Sequence, residues 1–298
     1  MFTFYGVLAI LLWGCLALLG VNTTQIPAFE LLTLCFFISA LLMPITRMIK
    51  GEKILTKPTL SLSQWLVGIV GLFGFHFCYF TALKKAPAIE VSLIAYLWPI
   101  LLAILLSTKT TFLRAIIGGL CGFVGISFVI VGDVGFSFND DFYAGYLLAL
   151  CCALIWSSYS WFLSRSNNKV DDIGWLSLIV ALLSLFAHLQ LETTYWQLTF
   201  KQWLGVILLG LGPVGGAFYL WDSALKRGNK KLLASLSFLT PLISSIVLAV
   251  FGLNNWSSNI LIALGLILLG AAISNSNTLS LSKTFLNKRL VLSKNNYK

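Results

Sequence analysis

Hydrophobic residues along this chain fall into ten long runs separated by short polar stretches. The runs lie at roughly 4–21, 28–46, 62–83, 88–106, 113–132, 143–163, 173–191, 203–225, 232–251 and 257–274. A helix needs about 20 mostly apolar residues to cross a bilayer, and each run has about that length. The runs are unbroken, as in Ile94–Leu106 and Leu261–Ile273, with none of the alternation that a membrane strand would show. Backbone groups in hydrocarbon must pair within a helix or around a closed barrel. Unbroken runs therefore predict an all-α integral membrane protein with ten spans, and short connections make neighbouring spans antiparallel. The first run reads as a retained helix, not a cleaved leader. No Lys or Arg precedes Arg47, and Asn22-Thr23-Thr24-Gln25 offers no small-residue cleavage site.

The pattern repeats. A shift of 142 residues lays Ala82-Leu83-Lys84-Lys85 on Ala224-Leu225-Lys226-Arg227, and Tyr96-Leu97-Trp98-Pro99 on Phe238-Leu239-Thr240-Pro241. Trp13 of the first run faces Trp156 of the sixth at a shift of 143. The expected units are a first five-helix repeat over 1–134, a second over 135–276, and a basic cytoplasmic tail over 277–298. An odd number of helices per unit makes the repeats inverted, a plan common among secondary transporters.

Charge adds orientation. Net charge is +10, but only 10% of residues are charged and mean hydropathy is +0.92. There is no basic face for a phosphate backbone, so nucleic acid is excluded as a partner. Lys and Arg favour the cytoplasmic side. With the amino terminus inside, the expected inner set is Arg47, Lys50, Lys53, Lys57, Lys109, Arg114, Arg165, Lys169, Lys283, Lys288, Arg289, Lys294 and Lys298. The expected outer set is Lys84, Lys85, Lys201, Lys226, Arg227, Lys230 and Lys231. Both termini are thus expected in the cytoplasm. The six cysteines all fall within apolar runs, with no Cys-x-x-Cys pair, and read as packing residues.

Enzyme chemistry finds little support. His76 and His188 are the only histidines, and there is no His-Glu-x-x-His, no Gly-x-Ser-x-Gly and no Walker loop. No metal or cofactor is expected. A channel would call for charged or carbonyl rings from several subunits. Two halves with matching helix breaks favour alternating access.

The candidate transport residues follow from that. Glu90 is an ionisable group within a span, although it follows Pro87, where a helix dipole also favours a carboxylate; both readings stand. Asp222 and Lys226 form an i,i+4 pair that reads as a weak interfacial ion pair. Yet Phe218, Trp221 and Asp222 share one helical face, which would suit a ligand bearing an ammonium group. Glu90 and Asp222 are expected as the carboxylates of the outer half. Glu30 reads as a dipole partner only. His76, Tyr79 and Phe80 share a face, as do Trp156, Tyr159 and Ser160. His76 is either a proton-sensitive group or a satisfied core histidine. Trp65, Trp196, Trp203 and Trp256 sit at span ends as an interfacial belt. Pro99 and Pro241 match between the halves, and Gly212-Pro213 with Gly215-Gly216 interrupts the eighth span; such breaks point to a substrate path. Ser237, Thr240 and Ser244 line one face of the ninth, for helix packing or solute contact. A cavity walled by spans 1, 3, 4, 6, 8 and 9 is expected.

Ala88-Ile89-Glu90-Val91, Tyr96-Leu97-Trp98-Pro99, Ile155-Trp156-Ser157-Ser158-Tyr159, Trp221-Asp222, Gly228-Asn229 and Phe238-Leu239-Thr240-Pro241 resemble the drug/metabolite transporter superfamily. The resemblance is to its EamA branch, and within it to the aromatic amino acid exporters, over roughly residues 5–275. It implies a secondary transporter of the inner membrane that exports aromatic or other neutral amino acids or related small metabolites. The alternative is an exporter of organic-cation toxicants; an intramembrane enzyme or scaffold ranks below both. The resemblance implies substrate contacts from Trp13, His76, Tyr79, Glu90, Tyr96, Trp98, Trp156, Tyr159, Trp221 and Asp222, with gating at Pro99, Pro213 and Pro241. A monomer in the bilayer is expected. Asp222 stands where Asn is expected, and the connection Lys84–Ala88 is shorter.

Overall fold

The computed structural model describes residues 1–132, 135 and 138–276. The expected basic tail over 277–298 lies outside the described residues. Among the described residues every regular element is helical. Among the described residues eight helices are long and apolar enough to cross a bilayer, or up to ten when each of two bent helix pairs is counted as one candidate span. They are α1 (Phe2–Gly14 with Leu16–Thr23), α2 (Ala28–Ile49), α3 (Leu62–Leu83), α4 (Ala88–Leu105), α5 (Phe112–Val131), α6 (Asp140–Leu163), α7 (Asp172–Leu191), α8 (Phe200–Arg227), α9 (Lys230–Leu236 with Leu239–Val250) and α10 (Asn259–Ser276).

Local chemistry sets where several helices begin. Ser61 with Gln64 opens α3 and Thr199 with Gln202 opens α8, each as a reciprocal capping box. Asn229 caps α9 through the Leu232 N–H. The outer surface is a girdle of large apolar side chains, including Leu66, Leu120, Phe186, Leu189 and Leu261. In water such a surface would be a large exposed patch; in a bilayer it faces its own kind of solvent.

The helices are broken where the chain crowds. α4 pauses at Tyr96–Leu97 and α9 bends by 44° at Ser237–Phe238. Pro99 and Pro241 do not sit at the breaks, but in the first turn of the segment that follows, where a missing N–H costs nothing. In α8 the break runs over Gly212–Gly215. A Cβ on Gly215 would lie 1.7 Å from the Gly210 carbonyl oxygen, so only glycine fits there. Two breaks have no proline to announce them. α1 bends by 42° at Cys15, and α3 holds a π-helical stretch, Val70–Gly74. At Gly71 a Cβ would meet the Tyr159 ring at 2.3 Å; the widened turn accommodates a ring pressed against the helix axis.

Side-chain contacts sort the loops into two ends. At one end Asn229 N donates to Thr3 Oγ1, Lys231 Nζ to Thr111 Oγ1 and Lys226 Nζ to the Asn168 carbonyl. Arg47 pairs with Asp171 there at 2.9 Å. At the other end Lys84 pairs with Glu192, and Asn259 Nδ2 donates to the Phe128 carbonyl. This corrects the charge map. Lys226, Arg227, Lys230 and Lys231 do not share a side with Lys84 and Lys85; they lie with the amino terminus, because eight crossings return the chain to its starting side. Glu90 and Asp222 therefore do not share an outer half: Glu90 belongs to the Lys84 end and Asp222 to the Lys226 end.

Two further expectations change. Glu30 is not only a dipole partner. Its Oε2 accepts from the Tyr195 N–H at 2.8 Å and lies 3.8 Å from His188 Nε2. The amino terminus of α2 is capped instead by Glu192, which accepts from Phe29 N at 3.0 Å. The Asp222–Lys226 pair is present at 2.8 Å, but it is buried, with side-chain exposures of 0% and 8%, not interfacial.

Candidate functional site

The broken helices leave a cavity of about 300 Å³ between them. Its walls come from α1, α3, α4, α6, α8 and α9, as expected, and also from α2, which supplies Leu31, Leu32 and Cys35. The sequence reading missed α2, since its one visible marker, Glu30, faces the loop after α7. Phe75, also missed, lines the cavity and lies 5.4 Å from the Trp156 ring; its place next to His76 was the available signal.

The cavity is aromatic. Of the expected site residues, Trp13, His76, Tyr79, Tyr96, Trp98 and Trp156 line it. A layer of four indoles, three of them lining residues, bounds it toward the Lys226 end. Trp13 lies 5.7 Å from Trp156 and 5.1 Å from Trp221, and Trp98 lies 6.3 Å from Trp156 and 6.0 Å from Trp221. These contacts are edge-to-face, the arrangement that ring quadrupoles favour. Two hydrogen bonds set the layer. Trp13 Nε1 donates to the Pro213 carbonyl at 3.0 Å; in α8 Ala217 N turns to Gly212, leaving that carbonyl outside the helix ladder. Trp221 Nε1 donates to Ser160 Oγ at 3.1 Å.

His76 is held in one orientation. Its Nδ1 lies 2.6 Å from the Leu72 carbonyl in the π-helical stretch. A carbonyl accepts only, so Nδ1 carries the proton and Nε2 offers a lone pair. Phe36 and Phe218 stack beside it, 5.6 Å apart. Thr240 lines the cavity, and its buried Oγ1 has no partner among the described residues. No Asp, Glu, Lys or Arg is among the lining residues.

Of the remaining expected residues, only Pro213 lines the cavity. Tyr159 is buried beside Trp156 at 5.4 Å, and its hydroxyl has no partner among the described residues. Trp221 closes the indole layer, and Asp222 lies beyond it. Glu90 is 6% exposed in the first turn of α4, is not among the cavity-lining residues, and its Oε2 has no partner among the described residues. Pro213 lines the cavity; Pro99 and Pro241 adjoin the lining residues Trp98 and Thr240. Among the described residues no group of three His, Cys, Asp or Glu side chains is placed to hold a metal.

The cavity residues come from the middle of the helices and from their parts nearer Lys84, such as Gly20 and Thr23 of α1 and Tyr79 and Phe80 of α3. Beyond the indole layer the Lys226 end is closed by polar contacts. Lys226 reaches Asn168, Lys230 reaches the Ser164 carbonyl, and Lys231 reaches Thr111.

The same chain pattern occurs in known proteins. The model of the EamA-like transporter family matches residues 2–131 and again 143–276. The aromatic amino acid exporter YddG of Ancylobacter novellus is 39% identical over 281 residues, covering 91% of this chain and 96% of that protein. YddG of Escherichia coli is 28% identical over 201 residues, covering 62% and 67%. A solved crystal structure superposes with a TM-score of 0.82 at 37% identity, covering 92% of this chain and 98% of its own.

Proposed function

Because the chain belongs to the EamA-like transporter family, we propose that it is a secondary transporter that exports aromatic and other neutral amino acids, or related small metabolites. The observation that carries this reading is the aromatic cavity of about 300 Å³, with no ionised side chain on its wall. Its size suits one small solute. Rings of the solute stack on Trp98 and Trp156. Its polar groups meet His76 and Thr240. A wall without net charge favours net-neutral cargo over organic cations, since nothing in it balances a charge.

The helices work by alternating access. One arrangement has the cavity on the Lys84 side and the Lys226 side closed; the other reverses this. The two family matches and the paired breaks of α4 and α9 support two inverted halves, near 1–134 and 135–276. Positive charge supports the orientation. Lys226, Arg227, Lys230 and Lys231 join Arg47, Lys169 and their neighbours at one end, against Lys84, Lys85 and Lys201 at the other. The Lys226 end and both termini are then cytoplasmic, in the inner membrane, and one chain is the working unit. Glu90 is a reserve acceptor that the other arrangement brings to the path. Counterflow of labelled phenylalanine in proteoliposomes tests the function. Saturable uptake stimulated by internal phenylalanine is expected; a linear, unstimulated flux would make the chain a pore.

A further inference from the structure

An exported amino acid carries an ammonium group, and the cavity offers that group no carboxylate. The Lys226 end holds what the cavity lacks. Lys226 Nζ donates to Asp222 Oδ2 at 2.8 Å, to the Asn168 carbonyl at 2.9 Å and to Asn168 Oδ1 at 3.0 Å. An ammonium has three N–H donors, so this cradle satisfies one completely, with one ionised and two neutral oxygens. Two buried polar atoms have no partner among the described residues, Asp222 Oδ1 and the Tyr159 hydroxyl, and Asp222 is close enough to Tyr159 to act on it electrostatically. Leaving such groups unpaired is costly unless something uses them. Both lie next to the indole layer: Tyr159 packs on Trp156, and Asp222 follows Trp221.

We propose that Asp222, Asn168 and Tyr159 form a second substrate subsite on the Lys226 side of the indole layer. It takes the ammonium of an amino acid entering from that side, and the Lys226 ammonium is a tethered stand-in that occupies it while that side is closed. This rests on the reading of the chain as an amino acid exporter. The exchange is of one ammonium for another, so the buried carboxylate keeps a cation throughout and never pays for isolation. Displacing Lys226 also removes the tie from α8 to Asn168, so substrate arrival and unlatching are one event. After the substrate passes into the cavity, Lys226 returns to Asp222. The ammonium then has no ionised acceptor, and affinity falls on the side of release. A ligand shifts a conformational equilibrium only by such a difference in affinity between states.

The test is sided competition in oriented proteoliposomes against labelled phenylalanine, with three unlabelled probes. Phenylalanine carries both charged groups, phenethylamine keeps only the ammonium, and phenyllactate has a hydroxyl in its place. Presented from the Lys226 side, phenylalanine and phenethylamine should compete about tenfold less well against Asp222→Asn, the loss of one charge-assisted contact. Phenyllactate should change by less than about twofold on that scale. From the Lys84 side no probe should change. Lys226→Gln should strengthen phenethylamine from the Lys226 side by removing its competitor. The double variant Asp222→Asn/Lys226→Gln, which leaves no unpaired buried charge, covers the case in which a single variant does not fold, and should also lose the preference for ammonium-bearing probes. Equal weakening of all three probes, or an unchanged preference in the double variant, would overturn the subsite and leave a plain latch. Competition by none of the three against the native chain would overturn the exporter reading itself.

Discussion

The two ends of the bundle solve opposite problems with similar residues. At the Lys84 end, Lys84 is 56% exposed and stands 3.6 Å from Glu192. Glu30, His188 and Glu192 then tie α2 to α7 and the loop after it, at the side of the cavity. At the Lys226 end the cations are drawn in. Lys226 is 8% exposed, and it and Lys230 cross from α8 and α9 to oxygens at the end of α6. An exposed ion pair gains little because water and salt screen it, whereas a buried one is strong only when every partner is in place. The difference therefore lies in the cation: Lys84 stays on the rim beside a buried Glu30–His188–Glu192 cluster, whereas Lys226 is itself part of the buried contact.

The largest expected effect tests that buried contact. Asp222→Ala leaves the Lys226 ammonium buried with Asn168 alone, which should cost about 3–5 kcal/mol of stability. Thermal unfolding in detergent measures it, and Asp222→Leu/Lys226→Met should recover most of the loss. A single variant as stable as the native chain would show the Lys226 end to be no tighter than the other.

Next is the indole layer between the ends. Trp156→Ala should weaken apparent affinity for phenylalanine about fivefold if ring stacking is worth about 1 kcal/mol. Alanine and threonine transport should fall less at equal protein level. Equal losses for all substrates would assign Trp156 to packing, and no loss would take it off the path.

Trp13→Phe keeps the ring but deletes the hydrogen bond to the Pro213 carbonyl. It should cost about 1 kcal/mol in thermal stability, and should loosen the α8 break without changing the preference for aromatic over small substrates. A change in that preference would place Trp13 in direct contact with the solute.

The smallest effect belongs to the rim. Lys84→Met should shift stability by less than about 1 kcal/mol, and the shift should shrink further in high salt. A loss as large as that of Asp222→Ala would erase the contrast between the ends.

Sequence patterns served the helices better than the site. Trp98, Trp156, His76 and Tyr96 were visible as candidates because aromatic and imidazole side chains deep in an apolar run are conspicuous. Asp222 was conspicuous too, but an i,i+4 acid–base pair has the same spelling on a lipid-facing rim and in a buried lock. The likeness of Lys84-Lys85 to Lys226-Arg227 misled the charge map, because an odd number of helices separates the two loops and leaves them at opposite ends of the bundle. α2 carried no marker for its part in the cavity, and Leu31, Leu32 and Cys35 look like any other apolar stretch.

The sequence by itself determined that this protein is helical and carries eight to ten segments long and apolar enough to cross a membrane. Unbroken apolar runs of about 20 residues have one low-energy outcome in hydrocarbon, where each backbone N–H must find its partner within the segment. It also determined where α8 breaks, since the glycines at 212, 215 and 216 flank a proline. Only the tertiary structure decided the π-helical stretch in α3, which depends on a Tyr159 ring from a distant helix meeting Gly71. Only it decided that Lys226 is buried against Asn168, 58 residues away, while Lys84 stays in solvent. Burial and partner choice are properties of which helices meet, and local spacing carries no record of that.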